Sequence, residues 1–343
     1  MTYLAVHRLL TQSIMPKVSV SSLPVSGLFG VCKPSGPTSM ALINDLKKLV
    51  AKSRLFVPED KLGKDQKRGK RDAVKIGQGG TLDPLADGVL VIGVGKGTKK
   101  LSQFLDCEKE YQTTCLLGCE TDTYDSEGAR VRIAPWHHVT KEQVESALSQ
   151  FTGEIEQIPP IFSALKMDGK PLYEYARKGI PLPRPIDSRK VKVLSLELAE
   201  WKGNQHHYHW PQKIFSETEK KALETALQGV EEGANVKDEI EQPPESDVSS
   251  AFVLKMKVSG GTYVRSIVHD LAHVLGSAGH VVTLTRSRQG RFVLEPTKAD
   301  ADDQACIPWE VFQKALVDPG EKDSDGWTEW EKRVIESLEL VEH

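Results

Sequence analysis

The chain has 343 residues, 39% of them hydrophobic and 27% charged, with a formal net charge of −3. That length allows one large domain or two small ones, and the near-neutral balance confines any polyanion binding to local patches. No apolar run of about 18 residues occurs, so no membrane span is expected, and the five cysteines lack CxxC or metal-ligand spacing, which fits reduced thiols.

The first acidic residue is Asp45. The stretch over 1–27 is hydroxyl-rich and carries Arg8 and Lys17, a composition shared by mitochondrial transit peptides and by plain terminal tails. Leu28–Met40, LFGVCKPSGPTSM, predicts a strand, a Pro/Gly turn and a helix capped by Ser39. Lys61–Lys75 sets seven Lys or Arg against Asp65 and Asp72. A solvated loop, a phosphate-binding arm and a nuclear import signal all share that composition.

Gly77–Gly88, GQGGTLDPLADG, places Gly77, Gly79, Gly80 and Gly88 around Asp83, which Pro84 biases toward an extended backbone. The run VLVIGVG that follows predicts a buried strand. A carboxylate on a stiff glycine-lined loop suits a nucleophile or general base; an Asp–Pro turn capping backbone N–H groups is the other reading. Farther on, GVGKGTKKL has neither Walker nor GxGxxG spacing, which argues against a nucleotide cofactor. Its Lys96, Lys99 and Lys100 present positive charge able to meet a polyanion.

Lys109–Gly128 predicts a strand and then an acidic turn held by side-chain hydrogen bonds, because the EF-hand pattern is missing. Thr140–Gly153 predicts a helix, with a Thr140/Gln143 capping box and Val144, Leu148 and Phe151 on one face. Ser163-Ala-Leu-Lys166 fits the SxxK pattern of serine acyl-transfer enzymes, but the accompanying SDN and KTG elements are missing. Residues 203–250 look inserted. His206, His207 and His209 read as surface, and Ser216–Asp247 holds ten acids against three lysines. That stretch should be helical at ETEKKALETAL and, by charge, should face away from any polyanionic partner. Ala251–Ser259 alternates as a strand, and Gly260-Gly261 turns into a helix with Ile267, Leu271 and Leu275 at four-residue spacing. From Ala299 the chain is acidic and helical, with Trp309, Trp327 and Trp330.

Taken together, GGTLDPLADGVLVIGVGKGTKKL, KPSGPTS, KEY, TDTYDSEG, QIPPIFSALKMDGKPLYEYARKG, GTYVRS and GHVVTLTRSRQGRF resemble the TruB-type tRNA pseudouridine synthases over roughly 28–200 and 251–295. The resemblance implies an α/β (α+β) catalytic domain over 28–298, with a mixed, largely antiparallel sheet flanked by helices and a central active-site cleft. It implies catalytic roles for Asp83 as the nucleophile, Tyr111 stacking on the target base, and Arg265 pairing with Asp83, a geometry expected to be bidentate. Gln78, Gly79, Gly80, Thr81, Leu82, Lys166, Tyr173, Arg177, Tyr263 and Arg286 are the implied substrate-binding residues. Gln78 stands where the family often has His, Phe162 where Tyr is usual, and Ser287 where Leu is common. Gln hydrogen-bonds but does not titrate near neutrality.

A basic insertion near 52–75 resembles the eukaryotic, especially fungal, branch. An acidic insertion near 203–250 and an acidic helical tail over 299–343, short for a full PUA domain, complete the expected layout. The implied partner is the T arm of tRNA, at uridine 55, with mRNA as a further candidate. No metal, cofactor or membrane is implied. A monomer shared between nucleus and mitochondrion is expected, with the cytoplasm as an alternative. A guide-RNA-dependent synthase shares the Asp motif, and a non-catalytic RNA chaperone is the alternative of another class.

Overall fold

The protein is described from a computed structural model, which covers residues 23–62, 74–214, 216–227, 248–296 and 300–342. The expected leader lies largely outside the described residues, as do most of the basic run and the acidic stretch beyond Leu227.

The apolar segment Gly27–Lys33 forms β1, buried along almost its whole length. Helix α1 (Ser39–Val50) follows the Pro/Gly turn. Its N-cap is Thr38, whose hydroxyl accepts from Ala41 N at 3.1 Å, so Ser39 is left with a different task. Strand β2 (Ile76–Gln78) pairs antiparallel with β3 (Asp87–Val94), and the loop between them carries Asp83. A 3-10 turn and α2 (Ser102–Asp106) lead into β4 (Lys109–Leu117), then the small hairpin of β5 (Cys119–Thr121) and β6 (Arg130–Ile133).

Helix α3 (Lys141–Ala147) opens with the expected Thr140/Gln143 capping box. It is shorter than its apolar spacing suggests. The chain tightens to 3-10 over Leu148–Phe151, and Gly153 starts β7 (Gly153–Gln157). A hairpin of β8 (Lys166–Met167) and β9 (Lys170–Pro171) precedes α4 (Leu172–Lys178), which ends on the left-handed Gly179. The long β10 (Arg189–Gly203), α5 (Glu217–Leu227) and the central β11 (Ala251–Val258) follow. Then come α6 (Val264–Val274), β12 (Gly279–Gln289) and β13 (Phe292–Val293). The chain closes through β14 (Gln304–Ala305), β15 (Ile307–Pro308), α7 (Trp309–Val317), α8 (Glu329–Ser337) and β16 (Glu339–Leu340).

One sheet organises these elements in the order β15-β1-β3-β12-β4-β11-β10-β7. Most pairs are antiparallel, while β1/β15, β3/β12 and β13/β14 are parallel. Around β1 and β3, one core packs Leu42, Leu46, Phe312 and Val334 of the helices against the sheet. Around β4, β11 and β12, a second packs Ile267 and Leu271 of α6 against Phe252 and Leu254.

Two features of the packing add to the expected layout. The segment from residue 300 is helical, but it is not a detached tail: Trp309, Trp327 and Trp330 are buried, and β15 and β16 both pair with β1. The acidic helix α5 packs beside α4, and Leu182 N in the segment after α4 donates to Ala226 O at 2.8 Å, so this part of the insertion borders the helix that carries Tyr173 and Arg177.

Candidate active site

The loop between β2 and β3 is clamped from the segment Lys33–Ser39. Ser39 Oγ donates to the Leu82 carbonyl and accepts from Leu82 N, both at 2.9 Å. Gly36 N donates to Pro84 O at 2.8 Å, and Ser35 Oγ to Leu85 O at 2.7 Å. The buried Lys33 donates to Pro84 O at 3.1 Å and to Ala86 O at 2.5 Å. Its pKa is lowered to about 8, chiefly because burial disfavours the charge, against the pull of Asp87 and Asp83. The backbone of Leu82 before Asp83, and of Pro84, Leu85 and Ala86 after it, thus has fixed partners, and the loop is stiff because its carbonyls are held.

Two glycines here, one in the loop and one at the start of β3, are required by backbone geometry. Gly80 has φ +121° and Gly88 has φ +102°. A Cβ on Gly88 would lie 2.2 Å from the Arg286 carbonyl oxygen, so glycine allows β3 to pass β12 this closely.

Arg265 reaches Asp83 from the first turn of α6. Its Nε lies 2.8 Å from Asp83 Oδ2, and its side chain is only 4% exposed while that of Asp83 is 34% exposed. The contact is not bidentate as the sequence suggested. The other nitrogens donate to Thr123 O and, at 3.2 Å, to Phe162 O. Because Phe162 contributes its carbonyl, the Phe-for-Tyr departure leaves this contact intact. Asp125 Oδ2 stands 3.8 Å from the same Nε. Burial pushes the Asp125 carboxyl up to about 6, partly countered by Arg265 and a Thr123 hydrogen bond. Burial also works against the Arg265 charge, but Asp83 and Asp125 outweigh it and raise its pKa.

The acidic turn behind Arg265 is held by side-chain bonds, as its pattern suggested. Asp125 Oδ1 accepts from Thr123 Oγ1 at 2.6 Å and Glu127 N at 3.1 Å; Asp122 Oδ1 accepts from Ala129 N at 2.7 Å.

A cleft of about 480 Å³ opens over Asp83. It brings together Gly80, Thr81, Leu82, Asp83, Tyr111, Tyr263, Arg265 and Arg286 from segments scattered along the chain. Tyr111 on β4 and Arg286 on β12 are cross-strand neighbours. Arg286 is 1% exposed, its Nε donates to Val89 O at 2.7 Å, and its Nη2 has no hydrogen-bond partner among the described residues. The Tyr263 backbone is held by Gln157, which accepts from its N at 2.7 Å and donates to its O at 2.9 Å. Arg189 lies over the Tyr263 ring at 4.8 Å.

Other candidate residues lie off the cleft. Gln78 Nε2 donates to Thr81 Oγ1 at 3.2 Å, and Gly79 is packed under Phe104. Lys166 and Arg177 are exposed on the β8–α4 unit, where Arg177 stacks on Tyr173 at 5.3 Å. Ser287 Oγ donates to Glu110 O at 3.2 Å within the sheet. The sequence reading missed Arg189, Lys190 and Lys109, which line the cleft. A lone cation at a strand end carries no periodic signal. Lys109 is spent on the carbonyls of Leu105 and Cys107, at 2.9 and 2.6 Å.

Residues 67–213 match the TruB family pseudouridylate synthase N-terminal domain. The chain is 38% identical to tRNA pseudouridine synthase 4 of Schizosaccharomyces pombe, over 83% of this chain and 82% of that protein. It is 32% identical to tRNA pseudouridine synthase 4 of Saccharomyces cerevisiae, over 93% and 87%. It is also 36% identical to human pseudouridylate synthase TRUB1, over 80% of this chain and 63% of that protein. In fold it is similar to a chain in the crystal structure of a Cbf5–Nop10–Gar1 complex, with a TM-score of 0.51 and 20% identity, over 92% of this chain and 60% of that one.

Proposed function

The chain belongs to the TruB family of pseudouridylate synthases, and from that premise we propose that it converts a uridine of tRNA to pseudouridine in the T arm, at position 55, with Asp83 as the nucleophile. The observation that carries the reading is the Asp83 carboxylate on a clamped loop, paired with Arg265 at 2.8 Å and open to a cleft that Tyr111 lines.

The reaction is an isomerisation. The N1–C1′ bond of the nucleotide breaks, uracil turns, and a C5–C1′ bond forms. C5 gives up a proton and N1 gains one, so the atoms balance and nothing is oxidised or reduced. Asp83 adds to the substrate and is released unchanged. Arg265 neutralises the carboxylate and fixes its direction, since its remaining nitrogens are tied to Thr123 and Phe162. The target nucleotide must leave its stack, at a cost of a few kcal/mol. Stacking on Tyr111 returns about 1–3 kcal/mol. Arg189 and Lys190 at the cleft place positive charge where the RNA backbone enters.

The stand-alone reading is favoured over guide-RNA dependence because relatives at 38% and 32% identity are named tRNA pseudouridine synthases. The test is incubation of the purified chain alone with an unmodified tRNA transcript, followed by site-resolved pseudouridine mapping. One modified uridine in the T loop is expected. Modification only on addition of a guide RNA, or at another site, would overturn the proposal.

A further inference from the structure

Glu120 on β5 and two histidines of α6, His269 and His273, form a cluster that the proposed reaction does not use. The histidines are four residues apart, so both imidazoles leave one face of the helix. Glu120 meets them from the hairpin: Oε1 lies 3.0 Å from His269 Nε2, and Oε2 lies 2.9 Å from His273 Nε2. One donor atom from each residue falls within 4.8 Å of the others. Nitrogen and oxygen ligands held tetrahedrally at about 2.0–2.2 Å stand about 3.4 Å apart, so adjustments of about 1 Å bring these three into place.

The surroundings supply what such a site needs. His269 Nδ1 lies 2.8 Å from Asp270 Oδ1, the second-nitrogen contact to a carboxylate that fixes the tautomer of a ligating histidine. Tyr124 stacks on the His269 ring with centroids 3.9 Å apart, which limits its rotation. The His273 side chain is 42% exposed, so water has access to a fourth position. Arg132 opposes a cation, with Nη1 3.7 Å from Glu120 Oε2 and 3.5 Å from His273 Nε2. The same Nη1 is 3.4 Å from the Ser277 carbonyl, an alternative partner when a metal displaces it.

We propose that Glu120, His269 and His273 bind one divalent ion of the zinc class, with water as the remaining ligand. The two imidazoles are borderline donors, and with them the set suits zinc better than the hard ions magnesium or calcium, which prefer all-oxygen ligands. Protons on the ligating nitrogens pass to solvent on binding, with no change of oxidation state. The site is a clamp and takes no part in the chemistry. His269 lies one helical turn beyond Arg265, and Tyr124 sits between Thr123 and Asp125, both of which face the Arg265 guanidinium. A bound ion ties α6 to the turn that sets Arg265.

The test uses the untagged, chelator-stripped full chain, titrated with Co²⁺ while visible absorption is followed, and then with Zn²⁺ as competitor. Saturation at one Co²⁺ per chain and displacement by Zn²⁺ are expected. His273→Ala should weaken binding at least tenfold, and its half-exposed position favours retention of the fold, checked by circular dichroism. Glu120→Gln should do the same, and His207→Ala/His209→Ala should leave binding unchanged. Lack of saturable uptake would leave an ion-paired cluster only and overturn the proposal. So would equal affinity in His273→Ala, or loss of binding in the His207/His209 variant.

Discussion

Replacing Arg265 by lysine keeps the charge beside Asp83 and removes the geometry. Arg265 uses three nitrogens on three acceptors: Asp83 Oδ2, Thr123 O and Phe162 O. Lysine offers one nitrogen on a flexible stem. With the Arg265 side chain only 4% exposed, water is poorly placed to replace its lost donors. An unsatisfied buried acceptor costs about 1–3 kcal/mol. Two such acceptors, with some relaxation of the Thr123 turn, give a loss of about 2–4 kcal/mol in folding stability. Asp83 also loses a fixed direction, and a misplacement of about 1 Å reduces turnover on the order of a hundredfold. Urea unfolding measures the first effect, and single-turnover pseudouridylation of a tRNA transcript the second. An Arg265→Lys enzyme within about 0.5 kcal/mol of the parent, with unchanged turnover, would refute the assignment of Arg265 as the residue that orients Asp83.

Ser39→Ala removes both bonds to Leu82 and should cost about 1–2 kcal/mol. It should lower kcat more than it raises KM in tRNA modification, and an unchanged kcat would contradict the clamp. Gly88→Ala forces a Cβ toward the Arg286 carbonyl at a positive φ. It should lower stability by at least about 3 kcal/mol, and thermal unfolding close to that of the parent would count against the crossing described. Asp125 has its folded pKa raised to about 6, above the unfolded value of about 3.9. Its contribution to stability is therefore full below about pH 4 and is lost as pH rises through about 6. Asp125→Asn should gain on the parent by about 2–3 kcal/mol between those pH values. Urea curves of the two proteins that stay parallel from pH 4 to 7 would show that the carboxyl is not so placed.

Asp83, Tyr111 and Arg265 were legible as one candidate site only through the resemblance of their motifs to the TruB-type family; local spacing alone left Asp83 open to a turn reading. Asp83 sits between glycines and before Pro84, and Arg265 follows a Gly-Gly turn at a helix start. The alternation of β11 and the capping box of α3, by contrast, announce those elements through local spacing alone. What the sequence hid depends on contacts between distant segments. Lys33, Ser35 and Ser39 hold carbonyls about fifty residues away, and such bonds leave no periodic trace. The single-point grip of Arg265 on Asp83 arises because the carbonyls of Thr123 and Phe162 compete for the same guanidinium. The C-terminal segment read as a tail because the strands that join it to β1 are only two residues long. Lys166, Tyr173 and Arg177 share a motif with cleft residues, but α4 sits on its own small cluster with Leu172, Tyr175 and Leu182.

The central claim is that Asp83 is the nucleophile, and Asp83→Asn tests it most directly. The side chain stays isosteric and keeps an oxygen for Arg265, so folding and tRNA affinity should persist. Site-resolved mapping after prolonged incubation with an unmodified tRNA transcript should then find no pseudouridine in the T loop. Appreciable pseudouridine formation by this variant, at the site the parent modifies, would contradict the account.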